Sequence, residues 1–212
     1  MKRLAGFTLV EMAIVLIIIG LIMGMAFKGR DLIDSARLKN VQAQFGKVNT
    51  AFHLYYEKYG AYPGDGCSDA EVLAGYVGAT CAAVSLNNNP RNGLISTPNE
   101  AAAAMVLLKN TNLLGAADVQ SVFGQPWALA PAGAADGNFA ANTTYLTLVT
   151  TQTNGADLRL VCQLDRLMDD GDPASGIVRS NAISGSGLGQ YNDQVDCWAQ
   201  EGMVSIGMRI LP

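Results

Sequence analysis

An apolar run from Phe7 to Phe27 constrains this chain more than any other feature. An α-helix needs about 20 apolar residues to cross the hydrocarbon core of a bilayer, so the run predicts a transmembrane helix. Glu11 is its one charged residue. An ionised carboxylate at membrane depth costs on the order of a few kcal/mol and usually has a partner or a function. The sequence therefore predicts a cationic partner for Glu11, with the alternative that its carboxylate simply reaches the headgroups.

The residues at the start of the run form a specific motif. Lys2 and Arg3 come first, and residues 6–11 then read GFTLVE before the apolar run continues. An ordinary secretory signal has its small residue after the apolar run, whereas Gly6 stands before it. The motif resembles the class III signal of type IV pilins and type II secretion pseudopilins.

The resemblance implies how the chain is processed and what it does. A membrane-embedded prepilin peptidase would cut between Gly6 and Phe7 and methylate the new amine of Phe7, and the apolar helix would stay with the mature protein. Glu11 would then pair with the N-terminal amine of a neighbouring copy as subunits leave the membrane and stack into a filament. Pairing two groups that are each costly in an apolar core would fix the register between copies.

The partners implied are the peptidase, copies of this chain, other pilin-like subunits and the inner-membrane assembly machinery. Basic residues flank both ends of the span, so charge bias alone does not orient it. The resemblance implies a single inner-membrane span with a cytoplasmic N-terminus and a periplasmic head. After assembly, the filament would lie in the periplasm or outside the cell.

One departure from the family is visible where the helix leaves the membrane. Many family members have a proline there, whereas this chain has Lys28, preceded by Gly20 and Gly24. A glycine inside a helix weakens it by about 1 kcal/mol relative to alanine, so this stretch could bend during assembly. The two glycines could equally serve close helix packing in the membrane.

The apolar pattern changes after the membrane segment. Apolar residues three and four apart predict that the helix continues to about Glu57 and stops at Gly60; they are Leu38, Val41, Phe45, Val48, Phe52, Tyr55 and Tyr59. We therefore expect an α+β fold, the pilin-like lollipop, in which a long N-terminal helix packs on a small antiparallel sheet. The expected divisions are a leader (1–6), a transmembrane or filament-core helix (7–27), its amphipathic continuation (28–58) and a head (59–212).

Patterns within the head predict further elements. Thr97-Pro98-Asn99-Glu100 has the form of a capping box that starts a helix running to Leu114. Spaced apolar residues predict a short helix over 158–168, and alternation predicts strands over 145–151 and 204–210. The Gly- and Ala-rich residues 115–142 are expected to form a surface loop that carries subunit contacts.

All four cysteines follow the span, so the implied orientation places them in an oxidising compartment and two disulfides are expected. Closeness in sequence favours Cys67 with Cys81 and Cys162 with Cys197 among the three possible connectivities. A zinc site is the alternative, although no C-x-x-C pair and no nearby histidine completes a ligand set.

One acidic cluster is the candidate for metal chemistry. Asp165, Asp169, Asp170 and Asp172 surround Gly171, and oxygen ligands on a turn suit Ca²⁺. The spacing is not that of an EF-hand, and a solvated helix exit has the same composition. No other cofactor is expected.

No catalytic constellation accompanies these acids, so we expect no enzyme. His53 is expected to be an exposed helix residue, and Trp127 and Trp198 to be packing residues. The formal net charge of −4 disfavours nucleic-acid binding.

The sequence thus indicates a structural subunit of a pilus or pseudopilus. A minor or tip-priming subunit is an alternative within the same architecture. A membrane-tethered periplasmic binding protein that never polymerises is an alternative from another class.

Overall fold

A computed structural model describes residues 8–67, 81, 91–148, 154–182 and 191–211. The expected α+β class is confirmed, with a long N-terminal helix and a small antiparallel sheet. The helices are α1 (Leu9–Tyr59), α2 (Pro98–Asn110) and α3 (Leu158–Met168), with 3-10 helices at Ala116–Val119 and Cys197–Ala199. The strands are β1 (Trp127–Ala130), β2 (Thr144–Leu148), β3 (Ala156–Asp157), β4 (Val178–Ala182) and β5 (Met203–Leu211).

Helix α1 ends where the sequence predicted. Gly60 has a φ of 70°, and its N–H donates to the carbonyl of Tyr56 at 2.8 Å. Glycine adopts this left-handed conformation without the steric cost that a Cβ would bring, so it ends the helix.

The chain divides into two compact units, one ending at Lys39 and the other beginning at Asn40. In the second unit, α1 contributes one face to the core, where Val41, Val48, Phe52 and Tyr55 are buried. These four belong to the predicted apolar stripe.

Strand β5 lies at the centre of the sheet. It pairs antiparallel with β2, β3 and β4, while β1 pairs with the other edge of β2. Along β5, Val204, Ile206 and Met208 are buried at every second position, as the predicted alternation requires. Met208 lies opposite both Leu146 of β2 and Val178 of β4.

The predicted extent of α2 was wrong at its end. Its start is as expected, because Thr97 and Glu100 form the reciprocal bonds of a capping box. The helix ends at Asn110 rather than Leu114, since Asn112 takes a φ of 56° and the N–H groups of Leu113 and Leu114 both turn back to the carbonyl of Leu108. Asparagine tolerates this conformation better than most residues with a side chain.

The expectation that residues 115–142 form a surface loop was also wrong. They contain a 3-10 helix and strand β1, and Val119, Trp127 and Leu129 are buried. The burial of Trp127 comes from tertiary packing that the Gly- and Ala-rich composition around it does not indicate. Subunit contacts by this segment stay a prediction.

Two further predicted elements are present, whereas β3, β4 and the 3-10 helix at Cys197–Ala199 were not predicted. Helix α3 spans the predicted residues, with Leu158, Val161 and Leu164 buried. The described part of the predicted strand over 145–151 is β2; residues 149–151 lie outside the described residues.

Candidate functional site

The first part of α1 is an apolar surface that the described residues of the first unit leave uncovered. Large apolar side chains from Leu9 to Phe27 are exposed, Leu9 by 85% and Phe27 by 69%. Among the described residues, α1 is the helix long and apolar enough to cross a membrane. A continuous apolar surface of this length requires lipid or other protein helices around it. The segment fits membrane anchoring.

Glu11 lies at the beginning of this surface and is bound by Thr8. The backbone N–H and the hydroxyl of Thr8 both donate to Glu11 Oε2 at 2.8 Å, and the N–H of Glu11 donates to Thr8 Oγ1 at 3.3 Å. These reciprocal bonds form a capping box, which satisfies two backbone donors at the start of α1. Sequence reasoning missed Thr8, although the spacing Thr-x-x-Glu was its signal.

Four other residues were singled out in the N-terminal segment, and the structure describes two of them, Gly20 and Gly24. Gly6 and Phe7, the predicted processing residues, lie outside the described residues. Helix α1 is continuous through Gly20 and Gly24, and a Cβ built on either would meet no atom within 4 Å. No described residue of the first unit therefore requires glycine there, and both interpretations of these positions stay predictions.

The acidic cluster comes together at the end of α3. Carboxylate oxygens of Asp165, Asp169 and Asp170 lie within 4.8 Å of one another. Asp172, the fourth predicted ligand, lies outside that group, and its carboxylate accepts the N–H of Ala174 at 2.9 Å.

Asp165 is the buried member of the cluster. Its carboxylate accepts the hydroxyl of Tyr191 at 2.7 Å and the N–H of Gly171 at 3.3 Å. Burial raises the pKa of Asp165 to about 6, against these hydrogen bonds, which favour the ionised form. Burial, together with the bond to Asp165, also raises the pKa of the Tyr191 hydroxyl.

The other two acids organise the turn that follows α3. Asp169 accepts the N–H groups of Ile177 and Val178, and Asp170 accepts the hydroxyl of Ser175 and the N–H of Asp172. The hydrogen bond from Ser175 lowers the pKa of Asp170. These carboxylates hold the loop between α3 and β4, while their remaining lone pairs have the chemistry that Ca²⁺ requires. Calcium binding stays a prediction.

The cysteines form two disulfides, Cys67–Cys81 and Cys162–Cys197. These are the pairings that closeness in sequence favoured. The second joins α3 to the 3-10 helix at Cys197–Ala199, beside the exposed Trp198.

Comparison with known proteins identifies the N-terminal segment. Residues 1–27 match the family described as the prokaryotic N-terminal methylation motif. This motif is the signal of type IV pilins and pseudopilins, a structural rather than enzymatic class, and it supports a type IV pilin-like precursor. No curated protein and no solved structure matches the chain.

Proposed function

We propose that this chain is the precursor of a structural subunit of a pilus or pseudopilus. Prepilin peptidase cuts it between Gly6 and Phe7 and methylates the amine of Phe7. The mature subunit lies in the inner membrane with its head in the periplasm. The assembly machinery then adds the subunit to a filament through α1. The methylation motif over residues 1–27 carries this proposal.

The exposed apolar surface of α1 supports assembly through this helix. Side chains from Leu9 to Phe27 stay more than 40% exposed at each large apolar position. Lipid covers them before assembly, and the α1 helices of other copies cover them in the filament core. Because lipid and helix surfaces are equally apolar, the exchange depends on close packing and polar pairing rather than on a hydrophobic gain.

Glu11 supplies the polar pairing. Within residues 8–39 its carboxylate receives the two uncharged donors of Thr8 and no cation. The charge therefore remains to be matched, and the amine of Phe7 in a neighbouring copy is the partner proposed. This pair forms only when two copies stand in one register, so it selects the correct stacking of subunits.

The first experiment measures the intact mass and the N-terminal residue of the protein purified from its native membranes. Cleavage and methylation leave a methylated Phe7 at the N-terminus. An intact Met1 would overturn the proposal and favour the membrane-tethered binding protein.

The second experiment tests the role of Glu11. Glu11→Ala is expected to insert and be processed normally but to lose most filament incorporation. Glu57→Ala is the matched control, because it removes an exposed carboxylate from the same helix outside the apolar segment. Normal incorporation of Glu11→Ala into filaments would show that the carboxylate does not act in assembly.

A further inference from the structure

Charge is distributed unevenly along the chain. Residues 28–39 carry four basic and two acidic side chains. An ion pair joins Arg37 to Asp34 at 3.3 Å, whereas Lys28, Arg30 and Lys39 are exposed and form no ion pair within residues 8–39. Residues 154–211 carry the opposite excess, with eight acidic and four basic side chains. The two regions are electrostatically complementary.

Three of the four arginines of the acidic region form contacts with other described residues of the second unit. Arg159 pairs with Asp157 at 2.7 Å. Arg166 donates to the backbone carbonyls of the loop that follows Tyr191, and Arg179 donates to the carbonyl of Asn138 at 2.9 Å. Arg209 is exposed, and so are five of the eight acids, namely Asp170, Asp172, Asp193, Asp196 and Glu201.

A cleft opens in this region where β3 leads into α3 and β5 begins. It has a volume of about 330 Å³ and is lined by Asp157, Arg159, Glu201, Gly202 and Met203. Glu201 is exposed and forms no hydrogen bond or ion pair with another described residue of the second unit. Met203 is 44% exposed and supplies an apolar surface. An apolar surface beside a carboxylate suits a long basic side chain, whose stem is apolar and whose end is charged.

The basic segment carries such side chains on one face. Successive residues of an α-helix turn by about 100°, so Leu32 and Lys39 lie within about 40° of Lys28 around the axis. Lys28 and Lys39 are about 16 Å apart along the axis, at a rise of about 1.5 Å per residue. Leu32, between them, is 65% exposed. This face therefore combines an apolar centre with a cation at either end.

We propose that the cleft of one copy receives the Lys28–Leu32–Lys39 face of a neighbouring copy, with Leu32 against Met203 and Lys39 paired with Glu201. The inference rests on the proposed function and adds a contact outside the apolar helix core. Because the cleft and the face are different surfaces, the contact is heterologous. Repeated heterologous contacts that do not close into a ring build an open helical assembly, which is the form of a filament.

A photo-crosslinking experiment tests the contact directly. The crosslinking amino acid p-benzoylphenylalanine replaces Met203 in the full chain, half of the copies carry ¹⁵N, and assembled protein is irradiated and digested. Mass spectrometry is expected to find mixed-isotope crosslinks between position 203 and residues 28–39. Crosslinks only to lipid, to other segments or within one copy would overturn the inference.

A charge exchange tests the ion pair. Glu201→Lys is expected to lower the crosslink yield by about tenfold, because two like charges then meet, and the double variant Lys39→Glu/Glu201→Lys is expected to restore it to within about twofold. Glu57→Lys changes the net charge equally at an exposed position outside the cleft and should leave the yield unchanged. Failure of the double variant to recover would overturn the Lys39–Glu201 pair.

The two proposals fail in different ways. Filaments that form normally with crosslinks elsewhere would overturn this contact and leave the proposed function standing. An unprocessed Met1 would overturn the proposed function and this contact with it.

Discussion

Among the described residues of the second unit, the acidic side chains of Glu100 and Asp165 are fully buried but differ in their partners. Glu100 accepts three backbone N–H groups, those of Gly66, Ser96 and Thr97, at 2.8, 2.6 and 3.0 Å. Asp165 accepts one hydroxyl and one N–H, and it lies beside two further carboxylates. The ionised carboxylate of Asp165 therefore has fewer hydrogen-bond donors than that of Glu100, and two further carboxylates lie beside it.

The raised pKa of Asp165 predicts a pH dependence of stability. The folded chain holds the Asp165 proton up to about pH 6, whereas an unfolded aspartate releases it near pH 4. The free energy of unfolding should therefore fall as the pH rises from about 4 to about 6, by about 3 kcal/mol at most. Asp118 and Asp170 have the opposite effect, because folding lowers their pKa values. Their contribution to the free energy of unfolding is lost as the pH falls below about 4.

Asp165→Asn should flatten this pH slope, since the amide does not titrate. The measurement is urea denaturation of the detergent-solubilised chain at several pH values between 4 and 6. Asp172→Asn is the control, because Asp172 is exposed and lies outside the three-acid group, and its slope should match that of the wild type. An unchanged slope in Asp165→Asn would refute the assignment.

At the scale of elements, two side chains of α1 bond to the segment that contains β1. The indole N–H of Trp127 donates to Gln44 Oε1 at 2.7 Å, and Gln44 Nε2 donates to the carbonyl of Gln120 at 2.6 Å. Lys47, one turn further along α1, pairs with Asp118 at 2.7 Å on the surface. Gln44 is buried, whereas the Lys47 side chain is 61% exposed.

Gln44→Ala should lower the free energy of unfolding by about 2 kcal/mol, because it leaves an indole N–H and a carbonyl without partners. Lys47→Ala should cost less than about 1 kcal/mol, since exposed ion pairs contribute little. Chemical denaturation compares both with Gln42→Ala, an exposed glutamine on the same helix. Equal effects of Gln44→Ala and Gln42→Ala would contradict this role for Gln44.

At the scale of the whole molecule, the disulfides limit how far the unfolded chain can expand. Cys67–Cys81 closes a separation of 14 residues and Cys162–Cys197 one of 35. The larger loop loses more conformational freedom when it is closed, so its disulfide should stabilise the fold more.

Cys162→Ala/Cys197→Ala should therefore lower the free energy of unfolding by about 4 kcal/mol, and Cys67→Ala/Cys81→Ala by about 3 kcal/mol. Denaturation midpoints of the two variants give the comparison. Reduction of the wild type should destabilise it more than either pairwise substitution does. A reduced wild type with an unchanged midpoint would show that neither disulfide constrains the unfolded chain.

Features that depend on neighbouring residues could be predicted from the sequence alone. The methylation motif, the end of α1 at Gly60, the capping box of α2 and the alternation of β5 are all local patterns. The last three follow from backbone geometry and helix or strand period, which act over a few residues. Thr8 belongs with them, since its spacing from Glu11 was visible in the sequence.

Features that depend on residues far apart in the chain could not be predicted from local patterns and required the folded structure. Strand β1 forms because β2 supplies its hydrogen bonds and Gln44 receives the indole of Trp127 from 83 residues away. Asp165 is buried and accepts the hydroxyl of Tyr191 from 26 residues away. Pairing and burial of this kind depend on which distant elements pack together, and a local pattern carries no information about that choice.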